Sequence, residues 1–409
     1  MKKRIVFRRE FGVVSALFLD GKVEQIDVDE LPERMAVSGE APLGSIHVGR
    51  VRNIVKNIKA AFVEVAGGQM CYYSLLQNPL PIFVKAANGK QVCQDDEIVV
   101  QITRAGVKTK DPVAESQISL NGRYLVLIRE KKGISFSKKI DDEDWKREVL
   151  KVLQPHLKED IHVIVRTNAY EAPCTILEEE FQHLYKTYSN VINKAQYRNG
   201  KMVLYTPDPD YLQTLRDTVG EGLDEIVTDD AILYEQIKEY WKQYEEESKV
   251  RITLYQDQGG ISLSQAYSID KVLREALEER VWMKSGAYLV IQPTEALTVI
   301  DVNSGKAIAG NASMKKNVDE IFFKINLEAA KETIRQIRLR NLSGIILVDF
   351  INMKGQDWKD QLMEELKKMA SKDPIRTVVV DMTKLNLVEI TRKKKKRPLY
   401  EWVRKIESQ

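Results

Sequence analysis

Hydrophobic and polar positions change their period several times along the chain, and each change marks a different kind of element. Residues 1 to about 40 alternate short β-rich runs, RIVFRR and VSALFLDGKVEQIDV, with Asp20-Gly21 supplying a hairpin turn. From Gly44 the runs GSIHVGRVRNIVKNIKAAFVEVAGG and EIVVQITRAG keep a two-residue period, Ile98, Val100 and Ile102 alternating with Val99, Gln101 and Thr103. Several short strands punctuated by glycine predict a small barrel. The period then lengthens. In KKIDDEDWKREVLKVLQPHL, Trp145, Val149 and Leu153 fall at helical spacing ahead of the strand IHVIVRT, which predicts a separate α+β unit. Between Gly200 and Asp257, Tyr234, Ile237, Trp241 and Tyr244 make one apolar stripe on a charged helix, read as a face packed into the core rather than a binding box.

From about residue 275 the pattern is α/β. Strands YLVI and ALTVID precede a helix opened by Asn317 and Glu320 in capping-box spacing, with Ile321, Ile325, Ala329, Ile334 and Ile337 turned inward. Asn341 to Gly344 ends it. The strand IILVDF follows, then a helix with Trp358, Leu362, Leu366 and Met369 on one face, then RTVVVDM. The predicted class is a multidomain chain of α/β and α+β units.

Composition narrows the function classes. With 409 residues and 43% apolar content the chain can bury a large core, enough for about two to four domains. Sixty-three Lys and Arg nearly balance 60 Asp and Glu, so the net +3 says little until the charge is located. Its densest concentration is RKKKKR, Arg392 to Arg397, where Arg392 and Lys393 are candidates for phosphate contact and a solvated tail is the alternative. Cys71, Cys93 and Cys174 are scattered thiols without a CxxC, which fits a reducing, cytoplasmic compartment rather than a disulfide framework or a zinc knuckle. MKKRIVFRREFG breaks its apolar run at Arg8, Arg9 and Glu10, unlike a secretory signal, and nothing approaches ~18 uninterrupted apolar residues, so neither export nor a membrane span is expected.

Candidate chemistry lies at two strand ends. Asp301 closes ALTVID, Asp349 nearly closes IILVDF, and one long helix joins them. If the strands are parallel neighbours, as a crossover helix normally makes them, the carboxylates share one sheet edge at ~4.8 Å per strand step and could share one cation. Hard oxygen ligands suit Mg²⁺, with Mn²⁺ as a substitute, and the implied chemistry is phosphodiester hydrolysis. In DVNSGK, Asn303 could orient a ligand water or a phosphate, Gly305 would allow close backbone approach, and Lys306 could meet phosphate charge. An aspartate at a strand end is more often a turn or cap residue, and spacing alone does not exclude Asp381, which also ends a strand.

These residues resemble a known family. TEALTVIDVNSGK, INLEAAKETIRQIRLRNLSGIILVDFINM and LNLVEITRKK look like the catalytic core of the ribonuclease E/G family, and GSIHVGRVRNIVKNIKAAFVEV with ISLNGRYLVLI resembles its RNA-binding barrel and the exit from it. The resemblance runs from about residue 40 to 397. It implies an endonuclease that cuts single-stranded, A/U-rich RNA to leave 5′-phosphate and 3′-hydroxyl ends, in RNA processing or decay. Asp301, Asn303 and Asp349 fall on the family's catalytic positions, the two aspartates being its Mg²⁺ ligands, and Asp381 matches none. The implied architecture is a ribonuclease H-like domain (1–40 and 200–275) interrupted by an OB-type RNA-binding barrel (41–123) and a 5′-end sensor (124–199). A DNase I-like catalytic domain (276–397) and a C-terminal tail (398–409) follow.

The same resemblance places Phe62 and Tyr72 where the family sets aromatic rings against RNA, although Tyr72 stands for its usual phenylalanine; barrel core is the alternative for both. Lys110 matches a phosphate-contacting lysine in a run that otherwise departs from the family. Arg166 and Thr167 look like the pair that holds a substrate's 5′-monophosphate, an arginine fork and a hydroxyl suited to phosphate oxygens. Family members commonly carry, after the basic segment, two cysteines that bind zinc between subunits. Here PLYEWVRKIESQ follows, with no Cys or His after His183, so no structural zinc and no degradosome scaffold arm are expected, and a homo-oligomer is left open. The alternative function is a non-catalytic RNA-binding or ribosome-assembly protein that retains the nuclease fold.

Overall fold

The computed structural model describes the chain except at residues 11, 31–40, 86–90, 105, 107–110, 171, 198–199, 218–221, 243–249, 258, 307–317, 374, 395–396 and 403–409. It divides into two compact units, Met1–Glu30 with Asp210–Gln409, and Leu31–Pro209. The second is thus inserted, in sequence, into the first.

The insertion is visible in one sheet of the first unit, ordered Arg251–Leu254, Glu225–Thr228, Lys2–Arg9, Gly12–Leu19 and Lys22–Glu30. Lys2–Arg9 pairs parallel with Glu225–Thr228 across more than 200 residues, while its hairpin neighbours are antiparallel. Asp20 (φ 48°) and Gly21 (φ 78°) both adopt the left-handed conformation of a type I′ turn, as the Asp-Gly pair predicts. Ile5, Phe7, Val14, Ala16, Phe18 and Ile26 build this sheet's core, and Leu399 and Trp402 are buried in it. The segment from 398 is therefore not a free tail over its described part. Two apolar side chains beyond a charge run find a core that local sequence does not announce, and Leu399 N donates to Arg340 O at 2.9 Å.

The other sheet of this unit has six strands, Arg280–Trp282, Tyr288–Pro293, Leu297–Asn303, Gly344–Asp349, Leu387–Arg392 and Thr377–Met382, in that spatial order. The helices Val318–Leu339 and Gln356–Ala370 pack on one face through Ala329, Ala330, Ile334, Ile337, Leu362 and Leu366, over Leu289, Ile291, Ile300, Ile346, Val348 and Ile390. The longer helix stops in a Schellman motif: Leu342 N bonds Ile337 O (2.9 Å), Asn341 N bonds Arg338 O (3.2 Å), and Asn341 sits at φ 50°. Asn317, its expected cap, lies outside the described residues.

In the inserted unit, Ile46–Val55, Ala60–Glu64, Met70–Ser74, Val113–Glu115 and Glu97–Arg104 pair in a ring, the last returning to the first, so five strands close a barrel. Met202–Tyr205 also pairs with Ile46–Val55. A second sheet, Ser119–Asn121, Leu125–Arg129, Ile161–Val165 and Gly133–Phe136, packs with the helices Glu143–Leu153 and Cys174–Gln196. The Glu97–Arg104 strand departs from the alternation read in sequence. Ile98, Val100 and Ile102 fill the barrel, yet Val99 is buried too, in the core shared with this second sheet. Among the described residues no helix is long and apolar enough to cross a membrane.

His47, 1% exposed, lies on a barrel strand with Nε2 2.7 Å from Ser45 Oγ. Burial pushes its imidazole down to about 4 from the ordinary 6.5. Below about pH 6.5 the unfolded chain takes up a proton that the fold refuses, so stability is lost progressively as pH falls towards 4. Between pH 7 and 5 this costs roughly 2 kcal/mol. Denaturant titrations at both values should find that loss in the wild type and little of it in His47→Gln; equal losses would acquit the histidine.

Candidate active site

Alternation along Leu297–Asn303 buries Thr298, Ile300 and Val302 and turns Val299, Asp301 and Asn303 to the face without helices. Gly344–Asp349 runs parallel beside it with Ile300 level with Val348 and Asp301 level with Asp349. The two carboxylates therefore stand side by side, their backbones one strand step of about 4.8 Å apart. Partial burial pushes the Asp349 carboxyl above the usual range, and the Asp301 carboxylate beside it pushes the same way. Asn303 Nδ2 donates to Asp301 Oδ2 at 2.7 Å. The pair is a local excess of negative charge on oxygen donors, with an amide orienting one of them. Among the described residues no three His, Cys, Asp or Glu side chains gather.

Asp381 is separated from this pair by topology. The strand Leu387–Arg392 lies between its own strand and that of Asp349, a distance of about 10 Å. Its Oδ1 accepts from Met382 N at 2.8 Å, an ordinary local bond.

Sequence patterning missed the side chains that hold the loops around the pair. Asn326, wholly buried in the long helix, gives Nδ2 to Ile351 O (2.8 Å) and takes Ile351 N on Oδ1 (3.0 Å), clamping the chain two residues after Asp349. Asp319 accepts from Lys354 N and Gly355 N, and Glu328 accepts from Lys284 N at 2.9 Å. The available signal was an asparagine on a helix face otherwise filled by apolar residues. Gly305 (φ 51°) lies so close to the Gly286 carbonyl that a Cβ would collide with it. Lys306 follows it, exposed, its N 3.3 Å from Gly286 O.

The basic run is placed otherwise than expected. Arg392 is internal: its side chain is 3% exposed and faces Asp373, 0% exposed, at 2.8 Å. Its Nη1 donates to Asn341 Oδ1 (2.8 Å) and Leu342 O (3.1 Å). Arg392 therefore does not face phosphate as its charge suggests, because its guanidinium is engaged inside the fold. Lys393 is exposed, but Arg392 is level with Gly344 and Leu387 with Asp349, which puts the lysine about 20 Å along the strands from the carboxylates.

In the inserted unit, Phe62 and Tyr72 are cross-strand partners, ring centroids 6.3 Å apart and edge to face. Both are half-buried, while their neighbours Ala61, Val63, Cys71 and Tyr73 fill the barrel, so the two rings point outward. Lys110 lies outside the described residues. Arg166 and Thr167 follow the strand Ile161–Val165; Arg166 Nη1 donates to Gly122 O (2.8 Å) and Thr167 Oγ1 meets Ser137 Oγ (2.7 Å). Glu180 accepts from the backbone N–H groups of Arg123, Tyr124 and Leu125, fixing the turn beside them.

The model of the ribonuclease E/G family matches residues 119–395, the greater part of the chain, including Asp301, Asn303 and Asp349. The chain belongs to the ribonuclease E/G family. Ribonuclease E of Synechocystis is 31% identical over 408 residues, covering 98% of this chain and 58% of the relative. Ribonuclease E of Nostoc is 32% identical over 380 residues, 91% of this chain and 54% of its own length. Ribonuclease G of Escherichia coli K12 is 29% identical over 388 residues, 92% of this chain and 77% of that protein. The chain thus spans little more than half the length of the Synechocystis and Nostoc relatives.

Proposed function

We propose that the protein is a Mg²⁺-dependent endoribonuclease that hydrolyses phosphodiester bonds in single-stranded, A/U-rich RNA, leaving 5′-phosphate and 3′-hydroxyl ends. The observation that carries this reading is the register of Asp301 with Asp349 on adjacent parallel strands, within a chain of the ribonuclease E/G family. The donor set suits the cation: two carboxylates, one held above its ordinary range by partial burial and then by its neighbour, are relieved by a divalent charge, and oxygen ligands favour Mg²⁺ or Mn²⁺ over zinc. Asp301 and Asp349 would hold it. Bound there, it would polarise a phosphoryl oxygen and help generate the attacking hydroxide. Asn303 fixes the orientation of the Asp301 carboxylate through its 2.7 Å bond, and Lys306 offers positive charge to the substrate backbone.

The rest of the reading is architectural. The closed barrel is taken as an OB-type RNA-binding barrel and residues 124–199 as a 5′-end sensor. Both are inserted in a ribonuclease H-like domain, and a DNase I-like catalytic domain follows. Phe62 and Tyr72, outward and adjacent, suit base stacking, worth ~1–3 kcal/mol per base. RNA processing or decay in the cytoplasm is the setting. The deciding experiment is cleavage of a short 5′-monophosphorylated A/U-rich oligonucleotide with Mg²⁺ and with chelator. Metal-dependent internal cuts are expected, and binding without cutting would favour a non-catalytic RNA-binding protein.

Arg166 and Thr167 are assigned to the substrate's 5′-phosphate. Arg166→Ala should slow cleavage of 5′-monophosphorylated RNA by about 10- to 100-fold, the loss of a charged hydrogen bond, and leave 5′-hydroxyl RNA nearly unchanged. Because Arg166 also braces Gly122 O, Thr167→Ala is the companion variant, with a smaller loss of the same selectivity. Equal losses on both substrates would mark a folding role instead.

A further inference from the structure

Beside the carboxylate pair, the open face of the same sheet carries an aromatic step. Trp282 is level with Tyr288, and Tyr288 with Asn303, so the three form one row across three strands. Their partners on the other face, Val281, Leu289 and Val302, pack into the helix-covered core, which leaves Trp282, Tyr288 and Asn303 on the face of Asp301. The two rings lie 4.9 Å apart between centroids, inclined at 52°. Arg280, on the same face, sets its guanidinium 4.7 Å from the Tyr288 centroid and 5.8 Å from that of Trp282. Gly305 brings the loop after Asn303 against the Tyr288 ring. Trp282 is 61% exposed.

An exposed indole, a second ring and a cation beside phosphodiester chemistry have one common ligand, an unpaired nucleobase with its phosphate. Tyr288 is about 5 Å and Trp282 about 10 Å from Asn303 across the strands, within reach of the nucleotide next to the bond being cut. We propose that Trp282 and Tyr288 form a stacking subsite for the base flanking the scissile phosphate, with Arg280 meeting the adjoining backbone charge. The proposal rests on the nuclease reading of Asp301 and Asp349. A base must leave a duplex to stack here, so the subsite enforces single-strandedness at the point of cutting, independently of the barrel rings. Stacking on π-faces is sequence-tolerant, so the preference is for an unpaired base rather than one kind of base.

The test combines binding and cleavage on the full chain. In chelator, a short single-stranded oligoribonucleotide should quench tryptophan fluorescence in the wild type. The Trp282→Phe variant should lose most of that quench yet bind within about twofold, and Trp282→Ala should bind about 5- to 50-fold more weakly. With Mg²⁺, an abasic nucleotide placed beside the cut should slow the wild type and Trp282→Phe but cost Trp282→Ala nothing further. Unchanged binding by Trp282→Ala with an undiminished abasic penalty would overturn the subsite while leaving the nuclease intact, and would reassign the exposed rings to some other partner. Quenching and weakened Trp282→Ala binding without any cleavage would keep base stacking on the two rings and overturn the nuclease reading, and with it the place of the base beside a cut. Because Trp282 is exposed, its variants are expected to fold as the wild type does, which circular dichroism checks.

Discussion

Asp301→Asn and Asp349→Asn are each expected to lower RNA cleavage by about 10²- to 10³-fold or more while leaving RNA affinity in chelator nearly unchanged. Losing a ligand that anchors charge at a phosphoryl centre removes several kcal/mol of transition-state stabilisation, and each ~1.4 kcal/mol is a factor of ten. Stability should move the other way. A carboxyl whose range is raised in the fold is harder to ionise there than in the unfolded chain, so at neutral pH its charge works against folding. Asp349→Asn, which removes that charge, should unfold at a denaturant concentration no lower than the wild type. Asp381→Asn is the matched control, since its strand lies two steps from that of Asp349. Turnover near wild type in either of the first two variants, or a comparable collapse in the third, would dismiss the assignment.

The largest stability effect is expected at Asp373 and Arg392. The pair is sealed, with side chains 0% and 3% exposed, and every oxygen of Asp373 is engaged: Oδ2 takes Arg392 Nε (2.8 Å) and Thr377 Oγ1 (2.7 Å), while Oδ1 takes Ile375 N (3.0 Å). Asp373→Ala leaves a guanidinium buried without its counter-charge, which typically costs about 3–5 kcal/mol. Replacing both, as in Asp373→Val with Arg392→Met, should recover much of the loss, because two apolar side chains need no desolvation of charge. Equilibrium unfolding of the wild type, both single variants and the double variant yields the coupling directly. If Arg392→Met instead left stability unchanged and weakened RNA binding with a reduced salt dependence, the arginine would be a phosphate contact after all.

The strand that ends at Asp349 and the side chain of Arg392 show where sequence reading succeeds and where it stops. The strand–helix–strand order and the aspartate at each strand end are local, since hydrophobic period, caps and the Asn341–Gly344 stop act over a few residues. The Asp-Gly hairpin, the barrel strands and the burial of Ile237 and Trp241 were legible for the same reason. Parallel pairing followed from crossover topology, and the in-register match of Asp301 with Asp349 agrees with it.

Only the tertiary structure decided the rest. Spacing left Asp381 as eligible as Asp349, and strand order removed it, because position across a sheet is set by pairings between residues far apart in sequence. Charge identity suggested that Arg392 faces phosphate, whereas a carboxylate 19 residues away draws it inside. Leu399 and Trp402 looked like the end of a basic tail until the first sheet supplied a core, and Val99 looked half-exposed until a second sheet covered it. By itself the sequence determined which segments are strands and helices and which strand ends carry candidate oxygen donors, since both are properties of a residue and its near neighbours. Which of those residues share a face, and which are hidden, depends on long-range packing that no local pattern encodes.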